Sequence, residues 1–298
     1  MDNNYKFIFT LITSIIFSLS IILFINYTIN PFNYFKKSGN NFLSSSFFSK
    51  TPPSNIMYKM TEDLKYNKLK EIIIGSSRTL YGFNTCEKDI LKVGKTGITL
   101  NETNLLLNEA LKNKNIKTIF IEVGILDTNK NKVVSSIQPS FWEANFTLNA
   151  LYVSIRTFFE YLFEKQTYQS PNCNFKVFKV FHEANDKKLL DYYSKISSDL
   201  FLKNISFFIS TLIENKDLNN KKIIFFLPPI NSQITNLPIK ELISKKFKDK
   251  INVNPSVKFI SYNEVLKVND SIKQDWYDLN HFKPILGNKF LEKIQTIY

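Results

Sequence analysis

The chain has 298 residues, enough for one large domain or two small ones with a sizeable core. A formal charge of +13 would suit nucleic acid, but Arg78 and Arg156 are the two arginines among 39 basic residues, and no stretch carries clustered Arg/Lys or a recognition motif. Nucleic acid is therefore set aside as a partner, and a lysine-rich surface favours anionic envelope polymers or lipid headgroups.

From Phe7 to Ile25 the chain has no charged residue, and the next charge after Lys6 is Lys36. Nineteen residues at about 1.5 Å rise each match the ~30 Å hydrocarbon core of a bilayer. A cleaved leader would have a shorter apolar run followed by small residues. Here Asn26–Phe35 is bulky and aromatic, which suits an interfacial belt. The expectation is an uncleaved transmembrane helix over 7–29, preceded by a short tail at 1–6. Lys6 on one side and Lys36 and Lys37 on the other leave the charge rule for orientation almost silent. Residues 30–59 read as a linker, on the Ser, Asn, Gly and two prolines of 36–55.

From residue 60 onward, strand-like and helix-like segments alternate. Apolar runs at 71–75, 90–94, 117–123, 222–228 and 257–260 predict five strands. Helical periodicity marks 101–115, 188–216 and the C-terminal segment. Several strands are apolar on both faces, as a parallel sheet covered on both sides requires. The fold class is therefore α/β, a three-layer sandwich. A helical insertion at about 135–215 interrupts it, containing the aromatic-rich 140–165. The plain reading of that stretch is a helix packed on the sheet; the alternative is a cap or a second membrane-facing surface.

Cys86 and Cys173 lie far apart without metal-ligand spacing, and their pairing is open. With His182 and His281 as the two histidines, no metal site and no cofactor are expected; His182 reads as a surface residue.

Two blocks carry chemistry. The stretch Gly75-Ser76-Ser77-Arg78 follows the first strand, at the carboxyl edge where open parallel sheets bind ligands. Alone it is also a common turn, with Ser77 a helix cap and Ser76 a turn residue. The second block is Asp278-Leu279-Asn280-His281, ahead of the final helix. That spacing lets Asp278 accept from Nδ1 of His281 and leaves Nε2 for a serine. Asp275 is six residues from the same ring and less easily folded onto it.

Together these blocks resemble the SGNH/GDSL hydrolase superfamily. The resemblance spans about residues 60–298, but its specific motifs are the two terminal blocks. It implies a flavodoxin-like sandwich with strand order 2-1-3-4-5 and a Ser-His-Asp triad for ester hydrolysis or acyl transfer. By position Ser77 would be the nucleophile, His281 the general base and acid, and Asp278 its orienter. The backbone N–H groups of Ser77 and Gly97 would line the oxyanion hole. The third block departs from the pattern: Gly124-Ile125-Leu126-Asp127 has Leu126 where the family has a donating asparagine. Losing one such donor costs about 3 kcal/mol of transition-state stabilisation. Arg78 and Asn129 are the candidate substitutes, with Arg78 also suited to an anionic substrate.

The layout also resembles membrane-anchored relatives that acylate envelope polymers, such as the D-alanyl-transfer protein of teichoic-acid operons. That resemblance implies a cytoplasmic N-terminus and an extracytoplasmic domain. It also implies an envelope polysaccharide or other acylated polymer as substrate, and a membrane acyl-donor protein as partner. Two functions stand side by side: an envelope serine esterase or O-acyltransferase, and a non-catalytic assembly or binding protein keeping the same fold, which Leu126 favours.

Overall fold

The computed structural model describes residues 3–29, 53–66, 68–85, 88–123, 140–163, 218, 221–229, 231, 248, 255–266, 275–277 and 281–297. The chain divides into two compact units: Met1–Lys59 with Ser135–Asn174, and Met60–Val134 with Phe175–Tyr298.

The second unit holds the sheet. Its strands are β1 (Glu71–Gly75), β2 (Ile90–Gly94), β3 (Thr118–Glu122), β4 (Lys222–Leu227) and β5 (Val257–Ser261). All pair in parallel in the order β2-β1-β3-β4-β5, as the resemblance implied. The strand order reverses between the paired neighbours β1 and β3, and the carboxyl ends of the strands at such a switch point are where open parallel sheets bind ligands. Ile72, Ile73, Ile74, Ile119, Phe120, Ile121, Ile223, Ile224, Phe225 and Phe226 are buried. Consecutive burial of this kind means that helices lie on both faces of the sheet.

Among the described residues, the helices that follow strands in this unit are α3 (Ser77–Gly82), α4 (Leu100–Lys112), α7 (Tyr262–Val265) and α8 (Pro284–Ile297). Helix α4 starts at a capping box in which the Thr99 hydroxyl accepts from the Glu102 amide and Glu102 accepts from the Thr99 amide. At its other end Lys221 donates to the carbonyls of Ala110, Asn113 and Ile116. A cation there satisfies acceptors that have no partner inside the helix.

The first unit contains α1 (Asn3–Ile29), α5 (Phe141–Asn145) and α6 (Leu148–Phe163). Helix α1 is long and apolar enough to cross a membrane. Its hydroxyls turn inward: Thr10, Thr13, Ser18, Ser20 and Thr28 each donate to the carbonyl four residues earlier. Helices α5 and α6 pack against α1. The aromatic-rich stretch read as a sheet-covering helix is therefore bound to the N-terminal helix. Helix α2 (Pro53–Tyr66) starts within the stretch read as a linker, and the boundary between the units falls inside it.

Candidate active site

The chain turns at Gly75 because nothing larger fits. A Cβ there would collide with Thr79 Oγ1 and Glu122 Oε2. The next residue, Ser76, is extended (φ −87°, ψ −165°) and caps α3, its hydroxyl oxygen accepting from the Arg78 amide at 3.2 Å. The same hydroxyl donates to Glu122 Oε1 at 2.8 Å. Ser76 is thus committed to the turn, and the serine one residue on projects elsewhere. Ser77 Oγ lies 2.9 Å from His281 Nε2.

What holds Ser77 in place is a buried ionic knot. Glu122 closes β3 and sends its carboxylate across to the first turn of α3. Oε1 accepts from Ser76 Oγ and from Nε and Nη2 of Arg78, at 2.8, 2.9 and 2.8 Å. Oε2 accepts from the Ser76 amide at 2.8 Å and from Thr79 Oγ1 at 2.6 Å. Both side chains of the ion pair are almost fully buried, 2% exposed for Arg78 and 1% for Glu122. Burial alone would raise the Glu122 carboxyl, but the Arg78 guanidinium, the Thr79 hydroxyl and the Ser76 amide and hydroxyl together hold it below the ordinary carboxylate range. Arg78, the candidate substrate-binding cation, turns Nε and Nη2 of its guanidinium to Glu122 inside the protein. At the opposite end of α3, Lys92 of β2 donates to the carbonyls of Leu80 and Phe83, both at 2.7 Å. The short helix is fixed at both ends, by an anion at its N-terminus and a cation at its C-terminus, each on the side the helix dipole favours.

His281 arrives from the other end of the chain. Trp276 and Phe282 form an antiparallel bridge, the Tyr277 amide donates to the His281 carbonyl, and the Lys283 amide donates to that of Asp275. This narrow loop leads directly into α8. Its depth is set by Phe282, fully buried against Phe83, and by two glycines. A Cβ on Gly82 would strike the Phe282 ring, and one on Gly287 would strike the Gly82 carbonyl oxygen. Glycine at both positions lets α8 lie against α3, which brings His281 to Ser77. The Tyr81 ring meets His281 edge-on at 6.0 Å.

Gly97 lies in the turn after β2, at the same carboxyl edge, with φ of +65°, a conformation glycine takes without strain. Asp278, Asn129, the Gly124–Asp127 block with Leu126, Cys86, Cys173, His182 and the 188–216 segment lie outside the described residues. Sequence reasoning missed Glu122, Lys92, Gly82 and Gly287. For Glu122 and Lys92 the signal was present, as single charges inside otherwise apolar strands.

No family model matches the chain, and no curated protein matches it. Among solved structures, a protein from Streptococcus pneumonia named as a candidate platelet activating factor superposes with a TM-score of 0.48 at 13% identity. That match covers 81% of this chain and 90% of the other. The chain is similar to that protein in outline, and nothing about activity follows from so distant a likeness.

Proposed function

We propose that the protein is a membrane-anchored serine esterase or O-acyltransferase of the SGNH kind, acting on acyl esters of an envelope polymer. The observation that carries this is the 2.9 Å approach of His281 Nε2 to Ser77 Oγ at the carboxyl edge of a parallel sheet. In the reaction, Ser77 Oγ attacks the ester carbonyl as His281 Nε2 takes its proton. The Ser77 and Gly97 N–H groups receive the oxyanion. The tetrahedral adduct collapses, the C–O bond to the leaving alcohol breaks, and His281 returns the proton to that alcohol. An acyl-serine ester remains. Water or an acceptor hydroxyl then gives its proton to His281 and attacks the acyl carbon, and Ser77 Oγ leaves and is reprotonated. Asp278 orients the histidine through Nδ1, and Asn129 is the candidate donor replacing the amide absent at Leu126.

The lysine-rich charge supports an anionic polymer as substrate, and α1 supports a membrane location, where a membrane acyl-donor protein would supply the acyl group. The second reading, a non-catalytic envelope assembly protein, is favoured by Leu126. A fluorophosphonate probe on membranes separates the two. Labelling of the wild type that disappears in Ser77→Ala and His281→Ala supports the enzyme. An inert wild type at high probe concentration supports the binding protein.

A further inference from the structure

Helix α6 has two apolar faces. Ala150, Val153 and Ser154 are buried on the side that packs against α1. On the other side Leu148, Tyr152, Ile155 and Phe159 follow one another at intervals of four, three and four residues, one stripe of a helix. They are 80%, 58%, 39% and 50% exposed. Phe158 beside them, and Phe141 and Trp142 of α5, are exposed as well, Trp142 by 66%. So large an aromatic patch marks a surface that something apolar covers.

Its occupant follows from where α5 and α6 are attached. Asn26 of α1 is buried and uses both ends of its amide: Nδ2 donates to the Asn145 carbonyl at 2.7 Å, and Oδ1 accepts from Ser154 Oγ at 2.6 Å. Asn26 directly follows the uncharged run Phe7–Ile25. Most of the apolar side chains in that run are bare, while the hydroxyls of Thr10, Thr13, Ser18 and Ser20 bond within the helix. A helix that spans the hydrocarbon over 7–25 therefore brings Asn26, and the helices latched to it, to the edge of the bilayer. Tryptophan, tyrosine and phenylalanine gather at that depth because their rings are apolar and, in Trp and Tyr, carry a polar tip.

We propose that α5 and α6 form an interfacial foot, laying the Trp142–Phe159 surface into the headgroup boundary of the leaflet in which α1 ends. The foot rests on the reading of α1 as membrane-embedded. The Asn26 latch also argues that α1 stays on the chain, since its loss would uncover Ala144, Ala150 and Val153, which are buried together, and strip Ser154 of its acceptor.

The test uses the full chain in phosphatidylcholine–phosphatidylglycerol vesicles, with Trp276→Phe leaving Trp142 as the sole tryptophan. Lipids brominated near the glycerol end of the acyl chain should cut its emission about two-fold, and more than lipids brominated near the methyl end. A second variant, Phe17→Trp with Trp142→Phe and Trp276→Phe, reports on α1 and should be quenched most by deep bromine. If this α1 reporter is quenched while aqueous iodide but not bromine reaches Trp142, the anchor stands and the foot is wrong. If Trp142 is shielded from both quenchers, a protein covers the patch and the foot is again wrong. If neither reporter meets bromine, the membrane reading of α1 fails and the foot falls with it.

Discussion

Five donors converge on the two oxygens of Glu122, and the charge balance of the first turn of α3 depends on them. Removing one partner of a buried ion pair costs about 3–5 kcal/mol, because the other charge is stranded. Glu122→Gln leaves Arg78 unpaired and turns an amide N–H₂ towards donors. It should lower stability by roughly 3 kcal/mol and weaken probe labelling of Ser77, read by chemical unfolding and labelling rate on one preparation. The pH dependence has a defined sign. The folded carboxyl lies below its ordinary value, while in the unfolded chain it returns to about 4.3. Its stabilisation is complete above that value and is lost as pH falls through the lower folded one. Thermal unfolding followed into acid should show a steeper fall for wild type than for Glu122→Gln; parallel curves would show that Glu122 does not carry the acid limb. The approach of His281 to Ser77 was legible in the sequence, because a strand-end serine and a D-x-x-H block are local patterns. The Arg78–Glu122 pair was not legible, because its members lie 44 residues apart, a distance over which sequence shows no contact.

Among the elements, the α3–α8 contact sets the distance between the two halves of the site. Gly287→Ala places a methyl against the Gly82 carbonyl, and neither backbone can yield without moving its helix. Overpacking of this kind costs about 1–3 kcal/mol. The larger effect should fall on chemistry, since a shift of α8 carries His281 away from Ser77. A variant that keeps its melting temperature within a few degrees of wild type but labels at least about ten-fold more slowly fits this account; unchanged labelling would refute it. The strands themselves were legible, because runs such as Ile72–Ile74 and Ile119–Ile121 combine β-branching with burial on both faces. Helices α5 and α6 were harder to place. An amphipathic period shows that one face will be covered and is silent on whether sheet, neighbouring helix or lipid covers it.

For the whole molecule, the expected arrangement is α1 in the bilayer and the sheet unit outside the cytoplasm. Protease added to intact spheroplasts should digest the sheet unit and leave a small fragment carrying α1, detected with an N-terminal tag. Complete protection would reverse the orientation. The double clamp on α3 has a further consequence for how the protein opens. A six-residue helix is too short to persist alone, so α3 exists because Glu122 of β3 and Lys92 of β2 grip its two ends. Both grips come from strands that flank β1 in the sheet. Short helices usually fray at little cost, in fluctuations separate from global unfolding. Here fraying would take five donors from the buried Glu122 carboxylate at one end and two carbonyl acceptors from the Lys92 ammonium at the other. Helix α3 therefore opens together with the sheet, in one cooperative step, and the Ser77 hydroxyl keeps its setting for as long as the domain is folded.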